Sequence, residues 1–117
     1  MARERALVDS SFLFALFDYS SRQNRLATQF AKSTLAEFVV PDVTLTETAY
    51  LFNRAGGTPA MTQFISALVS LHPRLEPITE DTLQLVIEIL KNYSDAKFDF
   101  VDCCLMALAE KLNIVQV

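Results

Sequence analysis

Four carboxylates in this 117-residue chain have the type and placement to do chemistry: Asp9, Glu47, Asp99 and Asp102. Asp9 follows the apolar run Ala6-Leu7-Val8. Glu47 falls in the first turns of a helix after Phe38-Val39-Val40, and Asp99 with Asp102 opens the last helix. Carboxylates gathered in one place repel one another unless cations or protons intervene. Their hard oxygens suit magnesium or manganese rather than zinc. A pair of such ions can activate water for attack on phosphorus and stabilise the leaving oxygen, which is the logic of metal-dependent nucleases. Helix amino termini beside the acids would add partial positive charge that favours both carboxylate and phosphate.

Each acid also has a purely structural use. Thr44-Leu45-Thr46-Glu47 fits a capping box, in which Glu47 only satisfies a backbone donor. Asp99 can be an N-cap with Asp102 in the first turn, and Asp9 a turn residue after its strand.

The elements that must position these acids follow from periodicity. Ala6-Leu7-Val8 reads as a buried strand, and Phe12 to Phe17 as a helix apolar almost all round, hence a candidate protein interface. A helix is expected over 21–37 with Leu26, Phe30, Ala31 and Leu35 on its inner face, then a strand over 38–40 stopped by Pro41. Further helices are expected over 43–55, ending at Gly56-Gly57, and over 58–71. A weak strand over 74–78 precedes a helix begun by Thr79, with Leu83, Val86, Ile87 and Leu90 as its apolar set. A last helix over 99–112 leads to a fourth strand, 114–117. Short apolar strands alternating with helices predict a three-layer α/β/α fold around a parallel sheet of at least four strands, with function at the carboxyl ends of the strands. A single domain over 1–117 is expected.

Composition narrows the function. The net charge is −4 and the pI about 4.8, so general attraction to nucleic acid is excluded and any such role needs bound cations or a local basic rim. Arg22, Arg25, Arg54 and Arg74 could supply that rim, although scattered arginines on helices are usually solvated surface. Nine Phe and a mean hydropathy of +0.26 suit a large core or an apolar face that needs a partner. Cys103 and Cys104 are adjacent and read as reduced core residues, and His72 has no neighbours at ligand spacing. No signal-like start or membrane-length apolar run is evident, so the expected location is the cytoplasm.

Three blocks carry a family resemblance. Leu7-Val8-Asp9-Ser10-Ser11-Phe12-Leu13 resembles the opening of PIN domains, apolar residues followed by Asp-x-Ser and an apolar helix. Pro41-Asp42-Val43-Thr44-Leu45-Thr46-Glu47 resembles their second block, with its essential Glu. Asp99-Phe100-Val101-Asp102-Cys103 and the Ala/Leu-rich helix after it resemble the third. Order and spacing agree across all three, and the match is best to the VapC-like toxin branch. The resemblance implies that Asp9, Glu47 and Asp102 are metal ligands for Mg2+ or Mn2+, with Asp99 auxiliary and Ser11 a polar support behind the ligands. It implies an RNA-cleaving toxin, a cognate antitoxin whose peptide lies across the site, and a homodimer. Family members usually continue into a Thr-x-Asp segment after the fourth strand, so the expectation is a domain lacking its C-terminal segment. The rival reading is a catalytically inactive PIN-like module that binds RNA or protein. A receiver-like or phosphatase-like domain is a weaker third, since Ser11 stands where its second Asp would be.

Overall fold

A computed structural model describes residues 4–34 and 36–114. Within them run β1 (Arg5–Leu7), α1 (Ser10–Phe17), α2 (Asn24–Ser33), β2 (Glu37–Pro41), α3 (Asp42–Ser70), β3 (Arg74–Glu76), α4 (Glu80–Asn92) and α5 (Phe100–Leu112). The strands form one parallel sheet in the order β1-β2-β3, with Ala6 opposite Phe38 and Val40 opposite Leu75. The expected parallel sheet is present with three strands. Residues 115–117 of the expected fourth lie outside the described residues.

Side chains alternate across a strand, and that alternation divides the core. Val8 and Val40 face one way, into a cluster with Leu13, Phe52, Phe64 and Leu68 of α1 and α3. Leu7 and Val39 face the other, against Leu105 and Leu108 of α5, with Ile114 beyond. Helices therefore cover both faces. The α1/α3 side is aromatic: Phe14 lies 4.5 Å from Phe52, Phe52 stacks on Phe64 at 4.9 Å, and Phe17 meets Phe64 edge-on at 5.5 Å. The opposite side is aliphatic and sulfur-bearing, with Val86 and Ile89 of α4 against Cys103, Cys104 and Ala107 of α5.

The Phe residues of α1, expected to be broadly buried or to face a partner, pack their rings within the chain. Phe12 contacts Phe30 and Phe38, at 5.8 and 5.7 Å. The break expected at Gly56-Gly57 is real: α3 is two helical arms joined where Gly57 takes φ 72°, ψ −165°, a backbone that a β-carbon disfavours. Pro59 then sits in the opening turn of the second arm, where its missing N–H costs nothing.

Two expectations need correction. α2 spans ten residues, not seventeen; Gln23 is its N-cap, and only Ala27 is buried, leaving Leu26 and Phe30 exposed. On α4 the inward stripe is Thr82, Val86 and Ile89, while Leu83, Ile87 and Leu90 face outward. Apolar residues occupy most of that helix's circumference, so periodicity alone left its orientation open, and packing on α5 decided it. On the first arm of α3 the buried stripe is Thr44, Thr48 and Phe52, with Leu45 and Ala49 at its margin.

Candidate active site

The acids are carried to one edge of the sheet by the directions of their elements. All three strands run parallel, so the corner after β1 and the start of α3 after β2 lie at the same carboxyl edge. α5 runs the opposite way on the sheet face. The Arg5 guanidinium, at the start of β1, donates to the Leu112 carbonyl at the end of α5, 2.6 Å away. Leu105 and Leu108 pack on Leu7 and Val39, so the first turn of α5 projects past the strands' carboxyl ends. Val43, on the first turn of α3, packs into the cluster containing Cys103. The amino ends of α1, α3 and α5 thus share one side of the molecule, and each brings acid.

Asp9 is the N-cap of α1: its Oδ1 accepts from the Phe12 amide at 2.9 Å, and the residue is half-buried. The turn expected there is a helix cap. Ser11 is exposed and lies with Asp9, Phe12, Leu26 and Phe30 along an open cleft of about 510 Å³ between α1 and α2.

Glu47 behaves otherwise. The capping box that its sequence allows does not form, because α3 begins five residues earlier with Pro41 as N-cap. The Thr44 hydroxyl instead donates to the Val8 carbonyl at 2.9 Å, and Glu47 Oε1 accepts from the Ser10 hydroxyl. Ser10, not singled out by the sequence reading, is therefore the serine that touches one of the four candidate acids. Its signal was present in the Asp-Ser-Ser run. Adjacent residues at a helix start differ by about 100° around the axis, and only the fold decides which of the two faces α3.

Asp99 and Asp102 do form their capping box. Asp99 Oδ1 accepts from the Asp102 amide at 2.8 Å, and Asp102 Oδ2 accepts from the Asp99 amide at 3.4 Å. Both are exposed. Their charges reach inward to Cys103, whose thiol is pushed up from its ordinary 9.0, first by burial and then by Asp102 and Asp99. Cys104 is raised as well, by burial and by Cys103. Both thiols are free, buried and protonated at neutral pH, which fits the reduced core role expected of them.

The donor set suits a hard divalent cation, being carboxylate oxygens beside helix amino ends. The side chains fall into two walls, Asp9 with Glu47 and Asp99 with Asp102. Among the described residues, no three His, Cys, Asp or Glu side chains stand in common reach of one ion. His72 is exposed, just past the carboxyl end of α3. No helix among the described residues is long and apolar enough to cross a membrane.

Comparison with solved structures returns VapC20 of Mycobacterium tuberculosis, a sarcin-ricin loop cleaving toxin, at 27% identity and a TM-score of 0.82, covering 93% of this chain and 84% of that one. A chain of a toxin–antitoxin complex from Klebsiella pneumoniae matches at 20% identity and a TM-score of 0.69, covering 93% and 81%, and bears on the fold alone. Comparison with curated proteins returns no match. A family profile described as the PIN domain matches residues 6–117, from the first strand onward through all four acids, and the chain accordingly belongs to the PIN-domain family.

Proposed function

We propose that the chain is a divalent-metal-dependent ribonuclease that hydrolyses RNA phosphodiester bonds as the toxin of a toxin–antitoxin pair. What carries this reading is the PIN-family match over residues 6–117, supported by the placement of Asp9, Glu47, Asp99 and Asp102 on the amino-terminal parts of α1, α3 and α5. The 27% identity to a toxin that cleaves the sarcin-ricin loop supports RNA as the substrate class. Asp9, Glu47 and Asp102 are the proposed ligands for Mg2+ or Mn2+, Asp99 assists, and Ser11 is a polar support. A bound divalent cation would supply Lewis acidity at the phosphate and offset charge that an acidic protein otherwise presents to RNA.

The chain's own residues do the rest. The exposed Asp99 and Asp102 face incoming solvent and can orient a water, while the half-buried Asp9 and Glu47 fix the inner wall. The amides at the start of α1 and α5 favour anionic oxygens there. The cleft running from Asp9 past Phe12, Leu26 and Phe30 is the proposed seat of an antitoxin segment, and a homodimer in the cytoplasm completes the proposal.

Cleavage of a ribosomal RNA fragment carrying the sarcin-ricin loop, with Mn2+, Mg2+ or EDTA, tests the reading. Metal-dependent cleavage that Asp9→Asn and Asp102→Asn abolish is the expected result; full cleavage in EDTA, or by either variant, overturns it. One observation favours the rival, an inactive PIN-like binding module: the acids stand as two walls rather than one cluster. RNA binding without any cleavage in either metal would select it.

A further inference from the structure

Two hydrogen bonds stitch the opening of α3 to the β1–α1 corner, one on each side of Asp9. Thr44 Oγ1 donates to the Val8 carbonyl across 36 residues of sequence, and its side chain is wholly buried. Ser10 Oγ donates to Glu47 across 37 residues. Thr44 and Glu47 are three apart, so they occupy the same side of α3 one turn from each other. Val8 and Ser10 flank Asp9 directly. Glu47 is therefore held beside the backbone that carries Asp9, through two hydroxyls and a carbonyl.

Packing alone does not call for these hydroxyls. The buried stripe of α3 is Thr44, Thr48 and Phe52, and valine would fill the first two positions with the same shape and no polar atom to desolvate. Thr48 bonds only its own helix, at the Thr44 carbonyl. Thr44 bonds the residue next to an acid, and Ser10 bonds the other acid itself. Outer partners of this kind orient ligating carboxylates in metal sites.

We propose that Ser10 and Thr44 are positioning residues that set the Glu47 carboxylate against Asp9, and that they act on metal affinity through that spacing rather than on the chemical step. The proposal rests on the functional reading above. It differs from that reading in assigning a role to Ser10, and to Thr44 as a tether rather than a cap.

The test measures the Mn2+ dissociation constant, kcat and KM for RNA, and the thermal midpoint without metal, in the wild-type chain and in Ser10→Ala, Ser10→Thr, Thr44→Val and Thr44→Ser. Ser10→Ala and Thr44→Val are expected to weaken Mn2+ binding by about 10- to 100-fold, the range for loss of an outer-shell partner. Saturating Mn2+ should restore most of kcat, KM for RNA should hold, and the two hydroxyl-retaining variants should bind within a few-fold of wild type. Ser10 is only half-buried, so Ser10→Ala keeps the test decisive even where Thr44→Val folds poorly. Wild-type Mn2+ affinity in a folded Ser10→Ala chain overturns the positioning role and leaves the nuclease reading standing. A wild-type chain that neither binds Mn2+ nor cleaves RNA overturns both.

Discussion

The two acidic walls of the site are built on different physical terms. Asp99 and Asp102 hold each other across three residues and would do so in any helix that began with this sequence. Glu47 is held by Ser10 from 37 residues away, and the tether beside it spans 36. Asp9 lies between these cases, a cap for its own helix that stands next to the long-range bonds. A carboxylate with a local use contributes to stability whether or not the site works. One held only by tertiary contacts has its orientation set by the fold, so exchanging it should alter function more than stability.

The largest expected effect separates those roles. Glu47→Gln keeps an acceptor for the Ser10 hydroxyl, so cleavage should fall by at least about 100-fold, beyond the outer-partner range, while unfolding free energy moves by no more than about 0.5 kcal/mol. Parallel RNA-cleavage assays and urea denaturation check this. A Glu47→Gln chain destabilised by several times that amount would mean the inner wall is structural after all. Next in size is the outer wall. Asp99→Ala removes a cap and should cost about 1 kcal/mol, whereas Asp99→Asn caps almost as well and should cost little. If both variants lose equal stability, capping is not what Asp99 contributes.

A smaller effect concerns pH. Cys103 has a folded pKa above its unfolded value, so the folded state keeps a proton that the unfolded chain releases. The associated stability is fully present below pH 9.0 and is lost as pH rises from there toward the folded value. Denaturation midpoints between pH 8 and 10.5 should therefore decline. Asp102→Asn should lessen the decline by removing a charge that raises the thiol, and Glu47→Gln should leave it unchanged. The smallest effect belongs to the Arg74–Glu76 pair, 3.6 Å apart with Arg74 exposed, where Arg74→Ala should shift stability by about 0–1 kcal/mol.

The order of acids along the chain, their attachment to strand ends and helix starts, and the break before Thr58 were legible in the sequence, because each depends on neighbours within a turn or two. Gly57 announces a positive φ, and Asp99-x-x-Asp102 announces a cap. What escaped depends on contacts between distant elements. Thr44-x-x-Glu47 has the same form as a cap, yet here the threonine reaches Val8. Ser11 carries the family pattern, and one step of helical rotation away Ser10 makes a contact with Glu47 that the pattern does not announce. The outward stripe Leu83, Ile87 and Leu90 on α4 was misassigned for a related reason: nothing in a helix with apolar residues on most sides says which side a neighbour will cover.

The bond from Arg5 to the Leu112 carbonyl has a consequence for how the domain comes into being. It joins the first strand to the last helix across 107 residues, so the outer wall cannot be set opposite Asp9 until α5 has been made. At translation rates of about 5–20 residues per second, β1 and its acid wait roughly 5–20 s for that helix. Until α5 has been made, a nascent chain therefore holds only the inner half of its site. The nuclease proposed here passes that interval of its synthesis, close to ribosomal RNA, with its site unfinished.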